Sequence, residues 1–202
     1  MQQKKIDQMV RDVSVRLCNM SHEMLPRENL VFPRRRPGRD GEVRISEQES
    51  KILFAEWLTS EHRVYSVETP TFLQYGRGGA GNMDMTVCDS HAGLGRDLNI
   101  ELKAHQPTPA SCRNDMDKLL REEPEGLWFV TLESANKRTW EVLEEKLRDA
   151  FTDLKRSTKR DTKINFAFCA LRPRLLRRFP IDFNGDWSEQ LGDGFRRDPE
   201  GI

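Results

Sequence analysis

A chain of 202 residues with 36% hydrophobic content can bury one substantial core, and it reads as a globular domain with appended segments. Lys plus Arg and Asp plus Glu both number 33, so the net charge is zero and no whole-molecule field draws the protein to nucleic acid or a membrane; any such attraction must be local. Cys18, Cys88, Cys112 and Cys169 form no CxxC pair of the zinc or redox type, and no apolar run suits a signal peptide or a bilayer span, so the expected compartment is the cytoplasm, with reduced thiols.

In chain order, Ile6, Met9, Val10, Val13, Leu17, Met20 and Met24 recur at helical spacing and predict an amphipathic helix that ends before Pro26. Residues 27–43, with Pro33, Arg34, Arg35, Arg36, Pro37 and Gly38, predict a basic linker or surface arm. Ser46-Glu47-Gln48-Glu49 fits a capping box, so a second helix is expected from there to about Ser60. Its inner face is expected to carry Ile52, Leu53 and Trp57, with Glu49 and Glu56 on that face and Glu47 pointing away.

A short strand, Val64 to Val67, is expected to end at Glu68 before Pro70. The stretch Gly76 to Gly81 reads as a flexible loop, followed by a strand Met83 to Cys88, a turn-rich run and a partner strand through Asn99-Ile100-Glu101-Leu102-Lys103-Ala104-His105. Cys112 to Glu123 reads as a helix, Leu127 to Leu132 as a buried strand, Trp140 to Leu154 as a long amphipathic helix and Ile164 to Leu171 as a second buried strand. From Ser46 the order is α-β-β-β-α-β-α-β, which implies an α/β fold with a central mixed sheet flanked by helices. The expected organisation is an N-terminal helix and basic linker over 1–43, a core over 44–171, and a C-terminal extension over 172–202, basic and then partly irregular.

Strand alternation puts Asn99, Glu101, Lys103 and His105 on one face and Leu98, Ile100, Leu102 and Ala104 on the other. A hairpin with the preceding strand can bring the carboxylates of Asp84 and Glu101 together beside the Lys103 ammonium. Two carboxylates so placed repel unless a cation separates them, and hard oxygen ligands with room for water suit Mg²⁺ or Mn²⁺. Glu49, expected on the inner face of the preceding helix, could add a third carboxylate.

Asp84, then Glu101-Leu102-Lys103 on the next strand, behind a helix bearing Glu49 and ahead of a helix and strand, resembles the PD-(D/E)xK nuclease superfamily over roughly Ser46 to Leu171. Met83 stands where the motif name has proline. The resemblance implies a restriction-endonuclease-like αβββαβ core, Asp84 and Glu101 as Mg²⁺ ligands, Glu49 as the helix-borne acid, and Lys103 as the group that orients or activates water. It also implies a nucleic acid partner, DNA first, in restriction, repair or mobile-element processing, and allows a homodimer whose two sites cut both strands. The alternative function is a non-catalytic module of the same fold that binds nucleic acid or a protein.

Other readings stand beside these. Acid-x-Lys spacing also occurs at Glu49, Glu144, Asp153 and Asp161, so Glu101 and Lys103 alone could be an exposed ion pair. Glu49 is accounted for as the capping partner of Ser46, and Glu68 as a solvated loop residue. The glycine stretch lacks the GxxxxGK[ST] pattern. Arg34 to Arg36, the run Lys155 to Lys163 and Arg172 to Arg178 are either phosphate contacts or solvated surface. His105, Gln106, Asn114, Asp115 and Lys118 could extend the polar site.

Overall fold

The computed structural model describes residues 1–20, 30, 32, 44–75, 79–88, 95–122, 125–154 and 162–202. Within them, α1 (Gln3–Met20), α2 (Glu47–Ser60), β1 (Val64–Tyr75), β2 (Gly79–Cys88), β3 (Arg96–Ala104), α3 (Pro109–Arg121), β4 (Glu125–Ser134), α4 (Lys137–Leu154), β5 (Lys163–Arg172), β6 (Leu175–Asp182), α5 (Trp187–Arg196) and β7 (Glu200–Gly201) follow in chain order. The strands form one sheet in sequential order, antiparallel except for the parallel pairs β3–β4 and β4–β5. This is a mixed α/β fold with a central mixed sheet flanked by helices.

Two cores lie on the two faces of the sheet. On one, Ile6, Val10, Val13 and Leu17 of α1 and Leu53, Phe54 and Leu58 of α2 pack with Ile100, Leu102, Leu127 and Phe129. On the other, Met116 and Leu119 of α3, Leu143, Leu147 and Phe151 of α4 and Phe195 of α5 cover Trp128, Val130, Phe166 and Phe168. The parallel strands β4 and β5 are covered on both faces, which is why their sequences run apolar without alternation. Local signals set the helix starts. Ser46 closes its capping box with Glu49, and Thr108 accepts the Ser111 N–H ahead of Pro109 at the first turn of α3.

Several expectations need correction. Strand β1 does not stop at Pro70: it runs on to Tyr75, with a register shift between Pro70 and Gln74 and with Glu68 at φ 49°. Proline is tolerated there because β1 is an edge strand, where a missing N–H need not break a ladder. Strand β2 already begins at Gly79, inside the stretch expected to be a loop; residues 76–78 lie outside the described residues. The inner face of α2 carries Glu49 and Leu53, as expected, together with Ser50, Phe54 and Leu58, whereas Ile52 is exposed and Glu56 pairs with Arg16 at 2.7 Å near the surface. The C-terminal extension, expected to be basic to Arg178 and then partly irregular, forms β6, α5 and β7 from Leu175 on. Its arginines are tied internally. Arg177 is buried, donates to the Gly194 carbonyl at 3.0 Å and to that of Phe195, and lies over the Trp140 ring at 4.8 Å. Arg178 donates to Glu200 at 3.0 Å and to the Asp7 carbonyl at 3.1 Å.

The expected helical stripe of α1 is buried from Ile6 to Met20; Met24, the linker arginines Arg34 to Arg36, His91 and residues 155–161 lie outside the described residues. Among the described residues, no helix is long and apolar enough to cross a membrane.

Gly194 lets α5 approach the second core closely. A Cβ there would collide with the ring of Phe179, which stacks on Phe166 at 5.5 Å and meets Phe195 edge-on at 5.3 Å. Gly194→Ala should cost about 2 kcal/mol through overpacking, roughly 4–8 °C in Tm. Thermal unfolding followed by circular dichroism measures this, and an unchanged Tm would mean that the ring has room to yield.

Candidate active site

The site begins where the sheet opens. Strands β2 and β3 pair from Cys88 and Arg96 to Met85 and Ile100, and the ladder goes no further. Beyond it Met83 turns into the α3–α5 core while Met85 and Val87 stay in the α1–α2 core, so β2 changes face as it leaves β3. The Leu102 N–H, without a β2 carbonyl to meet, donates to Asp84 Oδ2 at 2.8 Å. The carboxylate thus completes the ladder and is fixed beside Glu101.

Glu101 lies on the α3 side and is 1% exposed. Its Oε1 accepts from Lys118 Nζ of α3 at 2.5 Å. Burial dominates its titration and, with help from Asp115 and Asp84 and against Lys118, pushes its carboxyl up to about 8. Asp115, one turn before Lys118, accepts from Trp128 Nε1 at 3.1 Å and lies 3.4 Å from Lys103 Nζ. Burial raises its value too, against Lys103 and Lys118.

Lys103 is next along the strand face. Burial opposes its charge, yet Asp115, then Glu47, Glu101 and Asp84, together hold its ammonium above the ordinary lysine value. It is therefore a fixed cation near neutral pH.

Helix α2 approaches from the other face, with its start pinned over the ends of β3 and β4. The His105 ring Nε2 hydrogen-bonds with the Ile45 carbonyl at 3.1 Å, Ser50 pairs with Thr131 at 2.9 Å, and Phe54 meets Phe129 edge-on at 5.0 Å. This brings Glu47 Oε1 to 3.4 Å from Lys103 Nζ, and Lys51 Nζ to 3.4 Å from Asp84 Oδ1. Lys51 also binds Glu68. Its charge is favoured by Glu68 and Asp84 over the burial that opposes it.

The structure thus brings together three of the four residues singled out from the sequence, Asp84, Glu101 and Lys103. Glu49 is turned elsewhere: its carboxylate accepts from the Ser46 N–H at 3.0 Å and from the Ser46 hydroxyl at 2.6 Å, completing the capping box. Glu47, expected to point away, is the acid of α2 that meets Lys103. Lys51 was not anticipated, although Glu47 and Lys51 stand four apart and so share a helix face, a usable signal once that face is known. Asp115 and Lys118, three apart on α3, supply the corresponding pair from the other side of the sheet.

The donor set suits a hard cation to this extent: Mg²⁺ commonly binds through one or two carboxylates, with water and substrate phosphates filling the other positions. Asp84 and Glu101 can supply two, and Glu101 already has the Lys118 ammonium as its partner. No group of three or more His, Cys, Asp or Glu side chains able to hold a metal is found among the described residues. In this arrangement Asp84 faces Lys51, Glu101 faces Lys118 and Asp115 faces Lys103, so the cluster is charge-compensated from within.

No protein-family model matches the chain, and no curated protein matches it. A solved structure does, a chain of the cryoEM structure of a DrdV–DNA complex, at 14% identity and a TM-score of 0.34, over 95% of this chain and 14% of that one. The present chain therefore spans about one seventh of its length, and likeness at this level establishes neither activity nor partner.

The Glu101 carboxyl gives a pH signature. Its folded value of about 8 lies above its ordinary 4.5, so between these limits the folded chain retains a proton that the unfolded chain has released. Stability should fall as pH rises through that window and level off above it. In urea unfolding between pH 4.5 and 8.5, Glu101→Gln should lack this component, so its stability relative to the parent should grow with pH. Parallel curves would show that Lys118 keeps Glu101 ionised throughout.

Proposed function

We propose that the protein is a metal-dependent nuclease that hydrolyses phosphodiester bonds, in DNA first, using Mg²⁺ or Mn²⁺. The observation that carries this reading is the gathering of Asp84, Glu101 and Lys103 at the point where β2 leaves β3. An acid on one strand and an acid-x-lysine on the next, in the order α2-β1-β2-β3-α3-β4, support a restriction-endonuclease-like core of the PD-(D/E)xK type. We assign that core to residues 44–171, with 1–43 and 172–202 as flanking extensions, and a homodimer as the form that cuts both strands.

Asp84 and Glu101 would hold the cation, Asp84 kept in place by its bond from the Leu102 N–H. When bound, the cation supplies an activated water and a sink for the charge that develops on the phosphorus oxygens. Lys103, held protonated by Asp115 and Glu47, acts as a positive charge beside the phosphate and its attacking water, not as a base. Trp128 ties Asp115 to the core and so fixes the direction of the lysine. Glu49 could join the ligands only by giving up its bonds to Ser46, whereas Glu47 already reaches Lys103.

A second reading, a non-catalytic module of this fold that binds nucleic acid or a protein, draws on the internal compensation of the cluster: acids already neutralised by Lys51, Lys103 and Lys118 need no metal to be stable. Purified protein incubated with duplex DNA, single-stranded DNA and RNA, with Mg²⁺, Mn²⁺ or EDTA, separates the two. Cleavage should require the metal and fall by at least about 100-fold in Asp84→Asn and Lys103→Met. Asn keeps an oxygen for the Leu102 N–H, so the Asp84→Asn variant should stay folded by circular dichroism. Failure to cut any substrate favours the binding module, and cleavage that survives both substitutions removes these residues from the site.

The two acids of α2 can be told apart in the same assay. Glu49→Ala should lower stability by about 1 kcal/mol through loss of its bonds to Ser46 and leave kcat nearly unchanged. Glu47→Gln should do the reverse, lowering kcat with little effect on Tm. The opposite outcome would restore Glu49 as the ligand-bearing residue.

A further inference from the structure

The lysine at Glu101 has no part in the chemistry proposed above. Lys118 Nζ lies 2.5 Å from Glu101 Oε1, 3.0 Å from the Asn82 carbonyl oxygen and 4.0 Å from Asp115 Oδ1. Its side chain is 15% exposed, so one mostly buried ammonium is bonded at once to Glu101 and to the Asn82 carbonyl, with Asp115 just beyond hydrogen-bond reach. Lys51 and Lys103 differ from it, each being shared with an acid at the rim of the site, Glu68 or Glu47.

Resting on the assignment of Asp84 and Glu101 as cation ligands, we propose that Lys118 is the resident counter-ion of the site: its ammonium occupies the cation's place at Glu101, withdraws to Asn82 and Asp115 when a divalent cation binds, and thereby sets the metal affinity. A divalent ion at Glu101 and an ammonium 2.5 Å from the same buried carboxylate repel each other more strongly than they would in water, which favours displacement of the ammonium. The Asn82 carbonyl, which already accepts from the ammonium, and Asp115 remain to pair it, so the exchange leaves no charge unpaired. The empty-handed site is thus kept folded, and the cation competes with a tethered rival.

The test is Mn²⁺ binding to the full chain without nucleic acid, followed by isothermal titration calorimetry and by loss of the free Mn²⁺ electron paramagnetic resonance signal. Lys118→Met, which keeps the length and removes the charge, should bind Mn²⁺ at least tenfold more tightly than the parent and gain more Tm on its addition. Lys118→Arg should bind no more tightly than the parent, and Asp84→Asn should lose binding. Lys118→Gln, whose amide can still donate to Asn82, carries the same expectation as the methionine variant and replaces it if that variant does not fold. Unchanged or weaker binding in the neutral variants, with Mn²⁺ binding present in the parent and lost in Asp84→Asn, overturns the role of Lys118 and leaves the nuclease reading standing. Absence of Mn²⁺ binding in the parent and the neutral variants alike overturns both.

Discussion

The site depends on one backbone amide. Because β2 parts from β3 beyond Met85 and Ile100, the Leu102 N–H has no strand partner, and a buried amide without one is costly. Asp84 answers it with a side-chain oxygen. That one bond places a carboxylate where a carbonyl would otherwise sit and keeps the opening in the sheet from closing. It also sets how close Asp84 comes to Glu101. Without the departure of β2, the edge of β3 at residues 101–103 would be paired by a neighbouring strand, with no room for the Asp84 carboxylate at the Leu102 N–H.

The opening explains why the charges arrive from two sides. Helix α3 delivers Asp115 and Lys118 from the face of the second core, and the start of α2 delivers Glu47 and Lys51 from the face of the first. Each helix is held by apolar packing well away from the charges, through Met116 and Leu119 in one case and Leu53, Phe54 and Leu58 in the other. The hydrophobic cores therefore meet the cost of assembling like charges, and the ion pairs decide only their arrangement. Trp128 belongs to both systems, its ring in the core and its N–H on Asp115.

Much of this was legible in the sequence, for reasons that differ by element. Capping residues and a 3.6-residue period marked α2 and α4, and continuous apolar runs marked β4 and β5, because those signals are local. Strand alternation was enough to bring Glu101 and Lys103 to one face and to suggest Asp84 as their neighbour. Asp115 and Lys118 were among the residues that the sequence offered for the site, whereas Lys51 was not. Nothing near Lys51 in the chain says which way its helix is turned, and a rotation of α2 by part of a turn exchanged Glu49 for Glu47 at the site and exposed Ile52. Strand β6 was obscured by Arg177, which reads as surface yet is buried because two carbonyls of α5 and the Trp140 ring accept its guanidinium. Such a residue becomes apolar in effect only once its partners are in place.

The outermost strand also bears on how copies of the chain can meet. Strand β1 presents Val64, Val67 and Phe72 to solvent at a sheet edge that no other strand among the described residues pairs, a combination that ordinarily invites another sheet to add on, although Glu122 accepts from the Phe72 and Leu73 N–H groups. Pro70 withholds a donor at mid-strand, Glu68 breaks the extended backbone at φ 49°, and the register shifts again before Gln74. At the far side of the sheet β7 is two residues long. Both margins are thereby blunted against open-ended growth, so a discrete assembly would use its helices and loops, and the apolar edge can be carried without turning the protein into a seed for fibres.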